Sequence, residues 1–286
     1  MIHPNRPERS MKPATESLAF CSWSTQPKCP NCLITNANEI GISRVQLHLN
    51  PIFESPDDWA DAGQKLADAG VTVVSGMFTP KGEDYSTPAT IQKTGGVVPD
   101  EHWDANLEAF QNTAQAAKDL GLSQVSFHAG FIPEDDKALH DKLVGRLREL
   151  GDILKDTAGA DLLLETGQET ADSLDRFLAE VDRDNIGVNF DPANMILYGM
   201  GDPIAAVEKL LPRVEQVHIK DATSPPSPGE WGAEVAAGTG EVNWDAFFKV
   251  LSGGGYDGNL VIEREAGDDR IGDIKQAAAY VPQFVN

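Results

Sequence analysis

Positive charge is scarce in this chain: 23 lysines and arginines stand against 45 aspartates and glutamates, a net charge of −22 over 286 residues. A surface that acidic repels phosphate backbones and anionic lipid, so neither nucleic acid nor a membrane is expected as a partner. Long apolar runs are missing too, with none approaching the ~18 residues of a membrane span. Arg6, Arg9 and Lys12 precede no apolar stretch, so residues 1–17 read as a polar leader rather than a secretory signal. Cysteine is limited to Cys21, Cys29 and Cys32, too few for a disulfide framework, and the expected setting is cytoplasmic. Cys29-Pro30-Asn31-Cys32 has the spacing of a redox or half-zinc motif. With no second pair and no thioredoxin-like unit around it, the motif reads as incidental.

The apolar fraction of 41% and the 26 glycines are those of an ordinary globular α/β protein. Short apolar runs at 18–22, 45–49, 71–77, 124–128, 162–165, 186–190, 214–219 and 260–263 read as strands. Helical patterns separate them. Trp103, Leu107, Phe110, Ala114 and Ala117 recur in steps of four and three, and so do Leu139, Leu143, Leu147 and Leu150, then Leu174, Phe177, Leu178 and Val181. Ser55-Pro56, Asp202-Pro203 and Asn243 read as helix starts, and Gly70, Gly121 and Gly254-Gly255 as helix ends. Eight strand-helix units predict a parallel sheet that closes into a single (β/α)8 TIM barrel over residues 18–286; an open doubly wound sheet is the alternative. The longest irregular stretches, 80–99 and 222–242, both follow a strand, where barrel enzymes keep their active-site loops.

Four polar residues end consecutive late strands: Glu165 after three leucines, Asp191 after Val188-Asn189-Phe190, His218 in Val217-His218-Ile219, and Glu263 after Val261-Ile262. Any one of them alone is most simply a strand-end residue facing solvent. In register around a closed barrel they converge at the catalytic face, and three carboxylates with one imidazole make an uncompensated cluster unless a cation sits among them. Mostly oxygen donors with one nitrogen suit Mn²⁺ best, with Mg²⁺, Co²⁺ or Zn²⁺ as other choices.

The segments LLLETG (162–167), NFDPAN (189–194), VHIKD (217–221), GTGEVNW (238–244) and LVIERE (260–265) carry a specific resemblance. In order and spacing they resemble the xylose isomerase-like TIM-barrel superfamily, which includes D-tagatose 3-epimerase, inosose dehydratase, hydroxypyruvate isomerase and endonuclease IV. The resemblance spans the second half of the barrel. It implies that Glu165, Asp191, His218 and Glu263 bind one divalent metal, and that Glu165 and Glu263 exchange protons with opposite faces of a keto-sugar through a metal-stabilised enediolate. It also implies a dimer or tetramer. A dehydratase acting on a keto-sugar or inosose begins with the same enolate and is the nearest rival reading. The endonuclease branch needs more histidines than the six present, and Asn194 stands where it resembles a histidine ligand. A non-catalytic sugar-binding barrel would need only one of the two glutamates.

Further residues are expected to touch the substrate. His128 ends the fourth strand, and His48 alternates in phase with Gln46, which turns it inward. Lys220, Asp221, Gln168 and Asn194 lie in or beside the resembling motifs, and Trp23 is placed to pack on a sugar ring. A core or capping role is the bland reading for each histidine, and core packing for Trp23 and Phe78. Arg264 is expected to point away from the barrel into a surface ion pair. The stretch 222–242, with Pro225, Pro226 and Pro228 and few apolar anchors, is expected to arch over the pocket as a lid with Trp231 at the entrance.

Overall fold

The computed structural model describes residues 11–227 and 229–285. Its strands are β1 (Leu18–Cys21), β2 (Arg44–His48), β3 (Thr72–Met77), β4 (Gln124–Phe127), β5 (Asp161–Glu165), β6 (Ile186–Phe190), β7 (Val214–Ile219), β8 (Asp221–Thr223), β9 (Ala233–Val235) and β10 (Asn259–Ile262). The first seven and β10 form a closed parallel ring in which β10 lies between β7 and β1, with Leu18 opposite Leu260 and Phe20 opposite Val45. Closure rules out the open doubly wound sheet. The remaining pair, β8 and β9, is an antiparallel hairpin with Ala222 opposite Glu234.

The helical stripes face the barrel as their spacing requires. Phe110, Ala114 and Ala117 of the helix Asp100–Asp119 are buried, as are Leu143, Leu147 and Leu150 of Lys137–Ala158 and Leu174, Phe177, Leu178 and Val181 of Ala171–Val181. Asp202 and Asn243 cap their helices through side-chain oxygens, on Ile204 and Ala205 N–H and on Ala246 N–H respectively. Ser55 does not. Its backbone sits at φ −135°, ψ 59° and its hydroxyl makes no cap bond, so Pro56 alone starts that short turn.

Several sequence expectations are revised. Residues 1–10 lie outside the described part, but Ala14–Ser17 is a helical turn with Ala14 and Ser17 buried, so it packs with the barrel and is not polar leader. Cys29 and Cys32 meet as a disulfide in the first turn of the helix Pro30–Ile40. Both long loops carry structure: the helix Pro88–Thr94 interrupts 80–99, and β8 and β9 interrupt 222–242. Ser22, Leu49, His128 and Glu263 stand one residue past their strands, because the chain leaves the ladder there; Glu263 N–H still donates to Ile219 O at 3.1 Å.

Inside the ring a small apolar plug of Ala19, Cys21 and Val261 lies apart from the main core, which fills the space between strands and helices. A polar layer crosses the interior. Gln46, Ser75, Ser126, Asn189 and Gln216 are fully buried, and they satisfy one another: Gln46 donates to Ser126 Oγ at 2.8 Å, Ser75 to Gln216 Oε1 at 2.6 Å, and Gln216 to Asn189 Oδ1 at 3.3 Å. Burying so many amides is tolerable because each finds a partner.

Candidate metal and active site

Because β5, β6, β7 and β10 are neighbours in the ring, their ends bring Glu165, Asp191, His218 and Glu263 together, with one ligand atom of each within 4.8 Å of all the others. His218 Nδ1 is the hub, 3.3 Å from Glu165 Oε1, 3.4 Å from Glu263 Oε2 and 3.7 Å from Asp191 Oδ2. The other ring nitrogen, Nε2, reaches Gln46 Oε1 at 2.8 Å. Asn189 Nδ2 lies 3.0 Å from the same nitrogen, and donation from Nε2 to Gln46 Oε1 is the arrangement that turns the Nδ1 lone pair to the carboxylates, the tautomer a metal ligand needs. Asp191 divides its oxygens: Oδ1 caps the helix Pro192–Tyr198, accepting from Ala193 N–H at 2.8 Å and Asn194 N–H at 3.0 Å. Asp191 Oδ2 and His218 Nδ1 are both buried with no hydrogen-bond partner. Two orphaned donor atoms aimed into a nest of carboxylates fit a divalent cation, and hard oxygen donors with one imidazole suit Mg²⁺, Mn²⁺ or a similar ion.

The two glutamates have different surroundings. Glu263 accepts from Trp23 Nε1 at 2.7 Å and from Lys220 Nζ at 2.8 Å. Burial pushes its carboxyl up, but Lys220 and His218 outweigh that and hold it well below the usual carboxylate range. Glu165 accepts from Asn194 Nδ2 at 3.1 Å and Asn189 Nδ2 at 3.4 Å, with His128 Nε2 at 3.5 Å. Against the upward push of burial, His128 and His218 keep it below its ordinary value. Burial raises Asp191. Lys220, bonded also to Glu265 at 2.7 Å, stays firmly charged because Glu263, Glu265 and Asp191 outweigh its burial.

A cavity of about 740 Å³ opens above the cluster. Of the seven residues expected to touch substrate, five line it: Trp23, His48, His128, Asn194 and Lys220. Gln168 does not; it is buried beside the Tyr198 hydroxyl. His48 Nε2, His128 Nδ1 and Gln168 Nε2 are buried without partners, which leaves hydrogen-bonding capacity for a ligand. Phe78 is core, packed edge-on against Phe110 at 5.3 Å.

Two expectations fail. Asp221 is fully buried, and its carboxylate accepts from the N–H groups of Ala222, Gly238, Gly240 and Val242 and from Trp244 Nε1, at 2.9–3.1 Å. It pins the return of the 222–242 segment and has nothing left for a substrate. A Cβ at Gly240 would collide with Asp221 Oδ1, which is why the residue there is glycine. Asp221→Ala is therefore expected to cost about 3–5 kcal/mol, read from the denaturant midpoint with the slope unchanged; a loss under about 1 kcal/mol would show the loop holds without it. Arg264 is not a surface residue either. It is buried, paired with Glu234 and Asp273 at 2.8 Å each, because the β8–β9 hairpin folds across it.

Sequence reading missed Glu83, Tyr85, Tyr198, Glu234 and Glu265 in the cavity wall. Glu83 and Tyr85 belong to the 80–99 loop, where no periodicity assigns direction. Gly167, at φ +137°, lets Asn194 lie against the backbone after β5, where a Cβ would strike Asn194 Cβ. That close approach sets the Asn194–Glu165 bond.

A profile of the xylose isomerase-like TIM barrel matches residues 34–284. The chain belongs to that family. It is 32% identical to a xylose isomerase domain protein from Planctomyces limnophilus, with TM-score 0.82 over 97% of this chain and 96% of that one. It superimposes on an L-ribulose 3-epimerase with TM-score 0.72, at 18% identity over 94% of each chain, a likeness of fold alone. It is also 23% identical over 141 residues to an inosose dehydratase of Lacticaseibacillus casei, covering 44% of this chain and 47% of the relative, so it spans about half the length of the curated relatives it matches. Among the described residues, the other candidate ligand group, Cys21 with His218 and Glu263, shares two members with the first. No helix among the described residues is long and apolar enough to cross a membrane.

Proposed function

We propose that this chain is a cytoplasmic, divalent-metal-dependent isomerase or epimerase of an uncharged keto-sugar or related polyol, with Mn²⁺ as the working ion and Glu165 and Glu263 as the acid/base pair. One observation carries the reading: the two carboxylates flank His218 Nδ1 at 3.3 and 3.4 Å, and Glu263 lines the cavity above them. A cation held by Glu165, Asp191, His218 and Glu263 would polarise the substrate carbonyl and so acidify the neighbouring C–H. One glutamate then removes that proton and the other returns one to the opposite face. Lys220 and Trp23 hold the Glu263 carboxylate in place, and Asn194 and Asn189 do the same for Glu165. The cavity wall carries Glu83, Glu234, Glu263 and Glu265 against Lys220 alone among lysines and arginines, a field that disfavours phosphorylated sugars.

A dehydratase is the second reading. Lys220, bonded to Glu263 and Glu265 at the cavity wall, could direct a proton through Glu265 to a departing hydroxyl. Incubating the protein and Mn²⁺ with free keto-sugars, keto-sugar phosphates and inososes, and following products by NMR, separates the two: an epimer or isomer supports the first reading, loss of water the second, and turnover only of phosphates overturns the neutral-substrate assignment.

The hairpin acts as the lid. Trp231 stacks edge-on against Tyr198 at 4.9 Å over the cavity, and Glu234 anchors β9 by accepting from Glu265 and Ala266 N–H. Deleting residues 225–232 is expected to raise KM about tenfold or more through lost enclosure, with smaller effect on the fold. An unchanged KM would mean the segment merely covers the rim.

A further inference from the structure

The proposed reaction makes no use of the Cys29–Cys32 disulfide. Both cysteines are half-buried, with exposed Lys28 and Asn31 beside them, so an external thiol can reach the bond. Cys21, in contrast, is fully buried. Cys29 is the N-cap of the helix Pro30–Ile40, and its Sγ accepts from Cys32 N–H in the first turn at 3.2 Å. A thiolate released at Cys29 keeps that donor and faces the positive end of the helix, which makes it a good leaving group.

A short path runs from this bond to the metal cluster. Residues 25–28 alone separate Cys29 from Ser24, and Ser22–Thr25 form a single 3-10 turn tied to the ends of β2 and β10. Ser22 Oγ accepts from His48 N–H at 2.9 Å, Trp23 Nε1 donates to Glu263 Oε1 at 2.7 Å, and Ser24 Oγ accepts from Arg264 N–H at 2.9 Å. From the other side, Asn36 Nδ2 of the cysteine-capped helix donates to Thr25 O at 3.5 Å. Between these ties Gln26 takes φ 47°, ψ 49°, a left-handed backbone unfavourable for a non-glycine residue and more so ahead of Pro27. Such a conformation persists only where its surroundings over-determine it. The disulfide supplies part of that restraint, since it fixes Cys29 to the helix while Ser24 is fixed to the barrel. Opening it lets Gln26 relax and loosens the turn that carries Trp23.

We infer that Cys29 and Cys32 are a reversible dithiol–disulfide couple, whose closed form seats Trp23 against Glu263 and whose opening weakens the metal centre. A thiolate of an external dithiol attacks Cys32 Sγ, and the S–S bond breaks with its electron pair leaving on Cys29. The second thiolate of that dithiol then attacks its own partner sulfur in the mixed disulfide and releases Cys32. Two electrons and two protons pass to the pair, and the external dithiol becomes a disulfide. In the reducing compartment proposed above, such pairs cycle rather than stay closed. The inference takes its metal centre and its compartment from the proposed function and needs none of the sugar chemistry.

Dithiothreitol on the folded protein, followed by iodoacetamide and mass spectrometry, should label Cys29 and Cys32 and leave Cys21 unlabelled. Oxidised glutathione should close the pair again. On reduction the Trp23 indole N–H resonance, identified by its loss in Trp23→Phe, should shift. Mn²⁺ should then bind about ten- to a hundredfold more weakly by calorimetry, the loss expected when a group supporting a metal ligand is displaced. The double variant Cys29→Ser, Cys32→Ser keeps a capping side chain and should hold the weak affinity with or without dithiothreitol. A pair that dithiothreitol leaves closed in the folded protein overturns the couple. An indole resonance and an Mn²⁺ affinity unmoved by reduction overturn its link to the site. Oxidised protein that binds no Mn²⁺ refutes the metal reading instead, and the Trp23 resonance alone then decides the link.

Discussion

Asp191→Asn should abolish metal binding and turnover while leaving the metal-free fold nearly as stable as wild type. The expectation follows from the way Asp191 divides its two oxygens. Oδ1 caps the helix Pro192–Tyr198, a role asparagine performs as well as aspartate. Oδ2 accepts no hydrogen bond and lies 3.7 Å from His218 Nδ1 and 3.9 Å from Lys220 Nζ, so its charge faces the cation site. Mn²⁺ affinity should fall by more than ~10²-fold, the upper range already seen when only a supporting residue is lost. Saturating Mn²⁺ stabilises the wild type by mass action, about 2.7 kcal/mol at one hundred times Kd, so its Tm should rise by several degrees and that of the variant should not. Asp191→Ala loses the cap as well and should be less stable than Asp191→Asn by about 1 kcal/mol without any metal present. Chelation of the wild type should abolish turnover, with recovery on adding Mn²⁺ or Co²⁺. Wild-type Mn²⁺ affinity in Asp191→Asn would remove Asp191 from the ligand set.

The barrel was legible because period-two and period-three-to-four patterns alternate without interruption, and the same regularity showed which residues end the strands. Glu165, Asp191, His218 and Glu263 could be grouped in advance because ring closure leaves strand ends only one place to meet. Loop residues have no such geometry. Glu83 reaches the cavity only because the 80–99 segment folds back and Gly96 N–H donates to its carboxylate at 2.9 Å, a contact no local pattern announces. Asp221 was misjudged for a related reason. Neighbouring Lys220 does point into the site, but alternation sends Asp221 outward, where four loop amides from up to 21 residues away converge on it. Arg264 was correctly turned away from the barrel axis; what the strand pattern lacked was the hairpin that buries it, whose strands are three residues each. The polar layer beneath the site was partly announced by Gln46 and His48 sharing a phase, and its role became visible only when Gln46 was found holding Nε2 of His218.

Glu165→Gln and Glu263→Gln should each lower turnover by ~10²–10⁴-fold with the fold intact, since the amide keeps the size and one ligand oxygen but cannot accept the substrate proton. The two losses should differ in kind. At position 263 the amide can still accept from Trp23, but its NH₂ group meets the Lys220 ammonium now 2.8 Å from Oε2, so Lys220 should turn fully to Glu265. At position 165 the amide faces Asn194 and Asn189, which are themselves amides and can rotate to accommodate it. Metal affinity should therefore suffer more in Glu263→Gln than in Glu165→Gln. If the glutamates serve opposite faces of the substrate, the variant that keeps the proton-abstracting carboxylate still exchanges the substrate's α-hydrogen with D₂O while forming no epimer. The other variant loses exchange and product together. Deuterium incorporation by NMR, measured beside product formation, assigns the two roles. Near wild-type turnover in both variants on the true substrate would refute the two-glutamate mechanism even with the metal cluster fully occupied.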